Sequence, residues 1–139
     1  MRTLRLWFAR VVAAYALLLF SFLAYLYVWE PTEHIAGFGI SATGSPESIN
    51  FLRAGPGALF AGMAVAAAIG LARPRRLPTT LFTLVLFTGA VVAVRLYGIS
   101  AEGSSVVQLS ELRDEGVSWL FFVAALLLHP RGPGPGPDR

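Results

Sequence analysis

The sequence predicts an all-α integral membrane protein: a four-helix bundle with short outer loops and both termini in the cytoplasm. Three observations predict it. Hydrophobic residues make up 55% and charged residues 14% of the 139 residues, against roughly 45–50% and ~25% in soluble domains. Four stretches approach the about 20 apolar residues that a helix rising ~1.5 Å per residue needs to cross a hydrocarbon layer of ~30 Å. Arginines and acids segregate to alternate connections between those stretches.

The first span, residues 11–29, follows Arg2, Arg5 and Arg10 and ends at Trp29-Glu30-Pro31. Its apolar run of about 19 residues exceeds the ~7–15 of a signal peptide, and no small-residue cleavage site precedes its exit, so an uncleaved helix is expected. Tyr25, Tyr27 and Trp29 form an outer aromatic belt, with Trp7 and Phe8 at the inner interface.

The second span, 54–72, has a helical lead-in from 46. Ser45 is a suitable N-cap, Pro46 suits the first helical position and Glu47 complements the helix N-terminus. Pro56 then either kinks one continuous helix or separates a short interfacial helix from the span proper. Ala54, Ala58, Gly62, Ala66 and Gly70 recur every four residues. Small residues at that spacing let a neighbouring helix approach closely, so this helix is placed at the centre of the bundle.

The connection "ARPRRLP" leads to the third span, 79–97, which carries Arg95 in an otherwise apolar run. The apolar part of the fourth, Gly116–Leu128, is short for a crossing. Extending it back to Val106 gives a span of 106–128, with Gln108, Glu111 and Glu115 at positions i, i+3 and i+7 on one face. Residues 1–130 thus form a single transmembrane domain. The Pro/Gly-rich residues 131–139 read as a flexible cytoplasmic tail.

All eleven basic residues are arginine. Eight of them precede the first span, occupy "ARPRRLP" or follow the fourth, whereas seven of the eight acids lie in or beside the other connections. The positive-inside rule therefore makes this a multi-pass protein of the cell membrane with loops 30–50 and 98–110 outside.

Arg95 then needs an answer to its charge, because a charged side chain at the centre of a membrane helix costs about 2.5–3.5 kcal/mol on insertion scales. Arg53 and Arg95 lie at the outer ends of the second and third spans, and Glu111 and Glu115 open the fourth from the same side. With Asn50 these residues predict an outward-side polar cluster. It is a structural tie between helices, a set of side chains reaching for headgroups, or a site where arginine clamps an anionic or amphiphilic ligand.

Two stretches carry a resemblance. "INFLRAGPGALFAGM", through Asn50, Arg53, Gly57 and Gly62, and "VVAVRLYGISAEGSS", through Arg95, Leu96 and Gly103, resemble the recurring runs of a bacterial four-helix membrane family catalogued as domain of unknown function 4345. The resemblance covers most of the chain and implies a four-helix fold. It aligns the family's acidic residue with Glu115, or with Glu111 in the alternative register. Pro56, and the absence of a proline soon after Gly103, depart from the pattern. The resemblance implies no activity, since the family's function is uncharacterised.

Several chemistries find no support. The chain has no cysteine, which excludes disulfides and thiolate chemistry. Glu30, Glu33 and His34 share one outer loop that offers at most a weak ion site and reads rather as a hydrated loop, while His129 is expected on the opposite side of the membrane, so no metal site is assigned. No nucleophile motif, phosphate loop or dinucleotide fingerprint occurs, so no catalytic residue and no cofactor are assigned. The arginines flank apolar spans as topology signals, which leaves no nucleic-acid partner. No span carries an acid at its middle, which argues against a proton-driven pump. Two function classes remain. The one with fewer assumptions is a non-catalytic accessory or interaction subunit, docking on a larger membrane protein or on copies of itself within the lipid. The alternative is an amphiphile- or lipid-binding protein, or a membrane enzyme, built on the Arg/Glu cluster.

Overall fold

The computed structural model describes residues 1–38 and 44–130, which contain helices and turns and no strand. The tail at 131–139 lies outside the described residues. Helix α1 spans Arg2–Trp29, α2 Pro31–Ala36, α3 Pro46–Leu52, α4 Ala58–Ala72, α5 Leu77–Glu102 and α6 Val106–Leu128. Three helical stretches, Arg2–Trp29, Pro46–Ala72 and Pro74–Glu102, are long and apolar enough to cross a membrane. Leu18, Phe22, Val65, Leu86, Val94 and Leu120 point outward from the protein, as side chains solvated by lipid would. α6 is 23 residues long, but its first half carries Glu111, Arg113, Asp114 and Glu115.

Local chemistry sets the helix ends. Pro31 stops α1 and takes an opening position of α2, where its missing N–H costs nothing. Ser45 caps α3 by accepting from the Ser48 N–H at 3.2 Å. The chain stays helical through Pro56 by widening into a π turn over Arg53–Gly57. An extra residue in the turn absorbs a proline that cannot donate to the regular ladder. A 3₁₀ turn at Pro74–Arg76 joins α4 to α5.

The buried core lies toward the end where the N-terminus and the Arg73–Arg76 turn meet. α1 contributes Ala9, Ala13 and Ala16, α4 Ala64 and Ala67, and α5 Leu77, Leu81 and Leu84. α6 adds Phe122 and Ala125. Alanines bring α1 and α4 into close contact, and dispersion between tightly fitted surfaces holds helices together where lipid removes the hydrophobic drive.

Each long helix sends one phenylalanine into a shared cluster. The Phe20 ring centroid lies 6.0 Å from Phe60, 5.7 Å from Phe87 and 6.4 Å from Phe122, distances at which aromatic pairs attract.

The small-residue stripe of α4 divides along its length. Ala54, Ala58 and Gly62 face outward, Ala66 is half-buried and Gly70 is buried. At Gly70 the neighbour is α5: a Cβ there would stand 2.6 Å from Thr80 Oγ1. That hydroxyl donates to the Ala66 carbonyl at 3.2 Å, tying the hairpin. Overpacking of this kind costs typically about 1–3 kcal/mol. Gly70→Ala is therefore expected to lower stability in detergent by that amount. Gly62→Ala, with nothing within 4 Å of its Cβ, should leave it equal or slightly higher. Thermal unfolding of both variants beside wild type checks this.

Candidate functional site

Arg95 and Glu115 meet because of the turn between them. Gly103 takes φ +93 after α5, a backbone region open to glycine and strained for other residues. α6 then opens on a reciprocal cap. The Gln108 N–H donates to Ser105 Oγ at 3.1 Å and the Ser105 N–H to Gln108 Oε1 at 3.0 Å. The resulting hairpin register lays Glu115 against Arg95. The Nε and Nη2 groups of Arg95 donate to the two carboxylate oxygens of Glu115, the bidentate geometry that arginine favours with carboxylates. The two side chains keep 27% and 22% exposure.

This pair stands on the wall of a cavity of about 860 Å³. Leu19, Phe20, Leu23, Phe60, Phe87 and Val91 line its apolar depth, so Phe20, Phe60 and Phe87 of the ring set form its floor. Arg95, Gln108, Glu111 and Glu115 line its polar side. Tyr27, His34 and Phe38 line the far end. There the His34 ring stands edge-on to Tyr27 at 4.8 Å and to Phe38 at 5.1 Å. α2 is held in place by buried Pro31 and Ile35. Between α1 and α6 the cavity is bounded by a hydroxyl chain. Ser118 Oγ donates to the Asp114 carbonyl at 2.9 Å, so Tyr15 is the donor in its 2.8 Å bond with Ser118.

Of the cluster expected from the sequence, the structure brings Arg95, Glu111 and Glu115 to one wall and puts Asn50 and Arg53 elsewhere. Asn50 faces outward. Arg53 donates through Nε to the Val28 carbonyl at 2.8 Å. Carbonyls in the last turn of a helix have no intrahelical partner, so Arg53 caps α1, a role that basic side chains often take. Glu111 has no hydrogen bond or ion pair of its own among the described residues. Arg113 and Asp114 form an outward-facing pair, Nε to Oδ1 at 2.8 Å. His129, just beyond α6, is pushed below the ordinary histidine range by burial. Among the described residues, no group of three or more His, Asp or Glu side chains gathers as metal ligands.

The cavity was not read from the sequence. Its floor and far end use aromatic residues that look individually like lipid-facing or interfacial side chains. One signal was available: each of the four long apolar stretches has a phenylalanine near its midpoint.

Comparison with protein-family models, with curated proteins and with solved structures found no match.

Removing one partner of a fully buried ion pair costs about 3–5 kcal/mol. Arg95 and Glu115 retain some exposure, so Arg95→Ala or Glu115→Ala is expected to lose about 2–3 kcal/mol. An apolar pair of similar volume, Arg95→Met with Glu115→Leu, should return to within about 1 kcal/mol of wild type, since such replacements are often neutral. Unfolding midpoints for the single and double variants measure the coupling directly.

Proposed function

We propose that this is a multi-pass membrane protein whose long helices, including α6, cross the bilayer and hold an amphiphilic molecule between α1, α5 and α6. The observation that carries this reading is the shape and chemistry of the cavity. An apolar depth closed by aromatic rings and a charged wall toward one end match a molecule with a tail and a polar head, and about 860 Å³ lies within the ~300–1,000 Å³ usual for ligand sites.

α6 completes the bundle on this reading. Its 23 residues span about 34 Å at ~1.5 Å each. Glu115 is neutralised by Arg95 rather than left facing lipid, and Arg113 and Asp114 sit at headgroup depth. The arginines of the N-terminus and the 73–76 turn then lie in the cytoplasm and the cavity's polar wall lies toward the outside. The resemblance of the Asn50–Gly62 and Arg95–Gly103 stretches to the four-helix family is compatible with this fold and adds no activity.

One observation favours a second reading, the accessory subunit or homo-oligomer. Ala54, Ala58 and Gly62 face outward at i, i+4 spacing, a surface on which another helix could pack closely. The cavity requires no partner, and for that reason the binding reading is preferred.

Native mass spectrometry of the protein released gently from its own membrane tests the proposal. Wild type is expected to carry a defined small molecule or lipid. Val91→Trp, which fills the apolar depth, is expected to lose at least tenfold of that occupancy while keeping its helix content. Equal lipid loads on both would overturn the reading. A larger protein co-purifying with both, and no bound amphiphile, would favour the accessory subunit instead.

Orientation is tested separately. The chain has no cysteine, so single cysteines at Ser104 and Arg75 act as reporters. A membrane-impermeant thiol reagent added to intact cells should label the first and spare the second.

A further inference from the structure

The charge on the cavity wall restricts which amphiphile fits. Four charged residues line the cavity: Arg95, Glu111, Asp114 and Glu115. Arg95 is engaged at both Nε and Nη2 by Glu115, so its charge is balanced at contact distance. Asp114 is paired with Arg113 on the outward side. The Glu111 carboxylate makes no hydrogen bond or ion pair among the described residues, and the Arg95 charge within its electrostatic reach is already engaged at contact distance by Glu115. An anionic headgroup entering here would meet a paired arginine and an unpaired acid.

The surroundings of Glu111 point the same way. Tyr27 lies within electrostatic reach of Glu111, Arg95 and Glu115, and it continues into the ring contacts with His34 and onward to Phe38. Phenol and phenyl faces attract cations lying within about 6 Å of their centroids. An acid without a contact ion pair beside electron-rich rings, above an apolar chamber, is the complement of a positive charge carried on an apolar body. Dehydrating such a cation is offset only where a fixed negative group answers it.

We propose that the cavity takes a lipophilic cation, a positively charged nitrogen or phosphonium centre on an apolar frame, with Glu111 as its counter-ion and Tyr27 and Phe38 as ring contacts. The proposal rests on the amphiphile-binding reading and narrows it. The same chemistry has two natural sources, an amine-bearing membrane lipid or a lipophilic cation reaching the site from solution.

The test uses the full chain in lipid nanodiscs, with empty discs subtracted, and two probes of nearly equal size and opposite charge: tetraphenylphosphonium and tetraphenylborate. Wild type is expected to retain the phosphonium saturably at about one per chain and to show no saturable retention of the borate. Glu111→Gln, which removes charge without removing a structural contact, should weaken phosphonium binding at least tenfold with unchanged helix content. Native mass spectra after reconstitution in equimolar phosphatidylethanolamine and phosphatidylglycerol separate the sources. Selective retention of the ethanolamine lipid, lost in Glu111→Gln, assigns a lipid amine. Phosphonium binding without lipid selectivity assigns a soluble cation.

Saturable borate binding, selective carriage of phosphatidylglycerol, or equal phosphonium affinity in wild type and Glu111→Gln would overturn the cation proposal and leave the binding reading standing. No saturable probe and no retained lipid in wild type would remove both.

Discussion

A charge inside an apolar segment has to be answered from within the protein, and much of this structure follows from how Arg95 is answered. The pair with Glu115 needs α5 and α6 side by side in one register. That register is set by a glycine that alone takes the required backbone angle easily and by a serine–glutamine cap that starts the next helix. Once α5 and α6 are fixed, α1 meets α6 through Tyr15 and Ser118, and space is left above that contact. The cavity is thus a product of a polar constraint on one wall and an aromatic one at the base.

The two ends of the bundle are built on different principles. Toward the N-terminal end, alanine and glycine let backbones approach, and the core is filled. Toward the other end, the helices are joined by directional contacts: Arg53 to the end of α1, His34 edge-on to two rings, Arg95 to Glu115. Directional contacts fix position without filling space. One end is rigid through packing, and the other is held open through bonding.

How much of this was legible in the sequence follows from whether the cause was local. The α3 start at Ser45-Pro46-Glu47 is local chemistry, as is the turn at Pro74–Arg76, and both can be read from a few residues. The apolar spans are legible because lipid imposes length and composition directly. Arg95 announced that it needed an acid, and Glu111 and Glu115 were both in range. Choosing Glu115 required the hairpin register, which depends on where Gly103 bends the chain. Arg53 shows the limit more sharply. Depth along the chain grouped it with Arg95, but Arg53 opens the π turn at Pro56 and reaches the carbonyl of Val28 instead. The cavity was the least legible, because empty space belongs to no residue. It arises where four helices fail to close, and no periodicity within any one of them records that.

The four phenylalanines have a consequence for how the bundle is divided. Beyond them, toward the Arg73–Arg76 turn, Ala67, Leu77, Leu81, Leu84 and Ala125 are fully buried, so the space on that side of the rings is filled. Phe20 contacts each of the other three rings, so a shift of any one of them is passed to the rest. The ring set that shapes the cavity is therefore also the boundary between the packed half of the bundle and the open one.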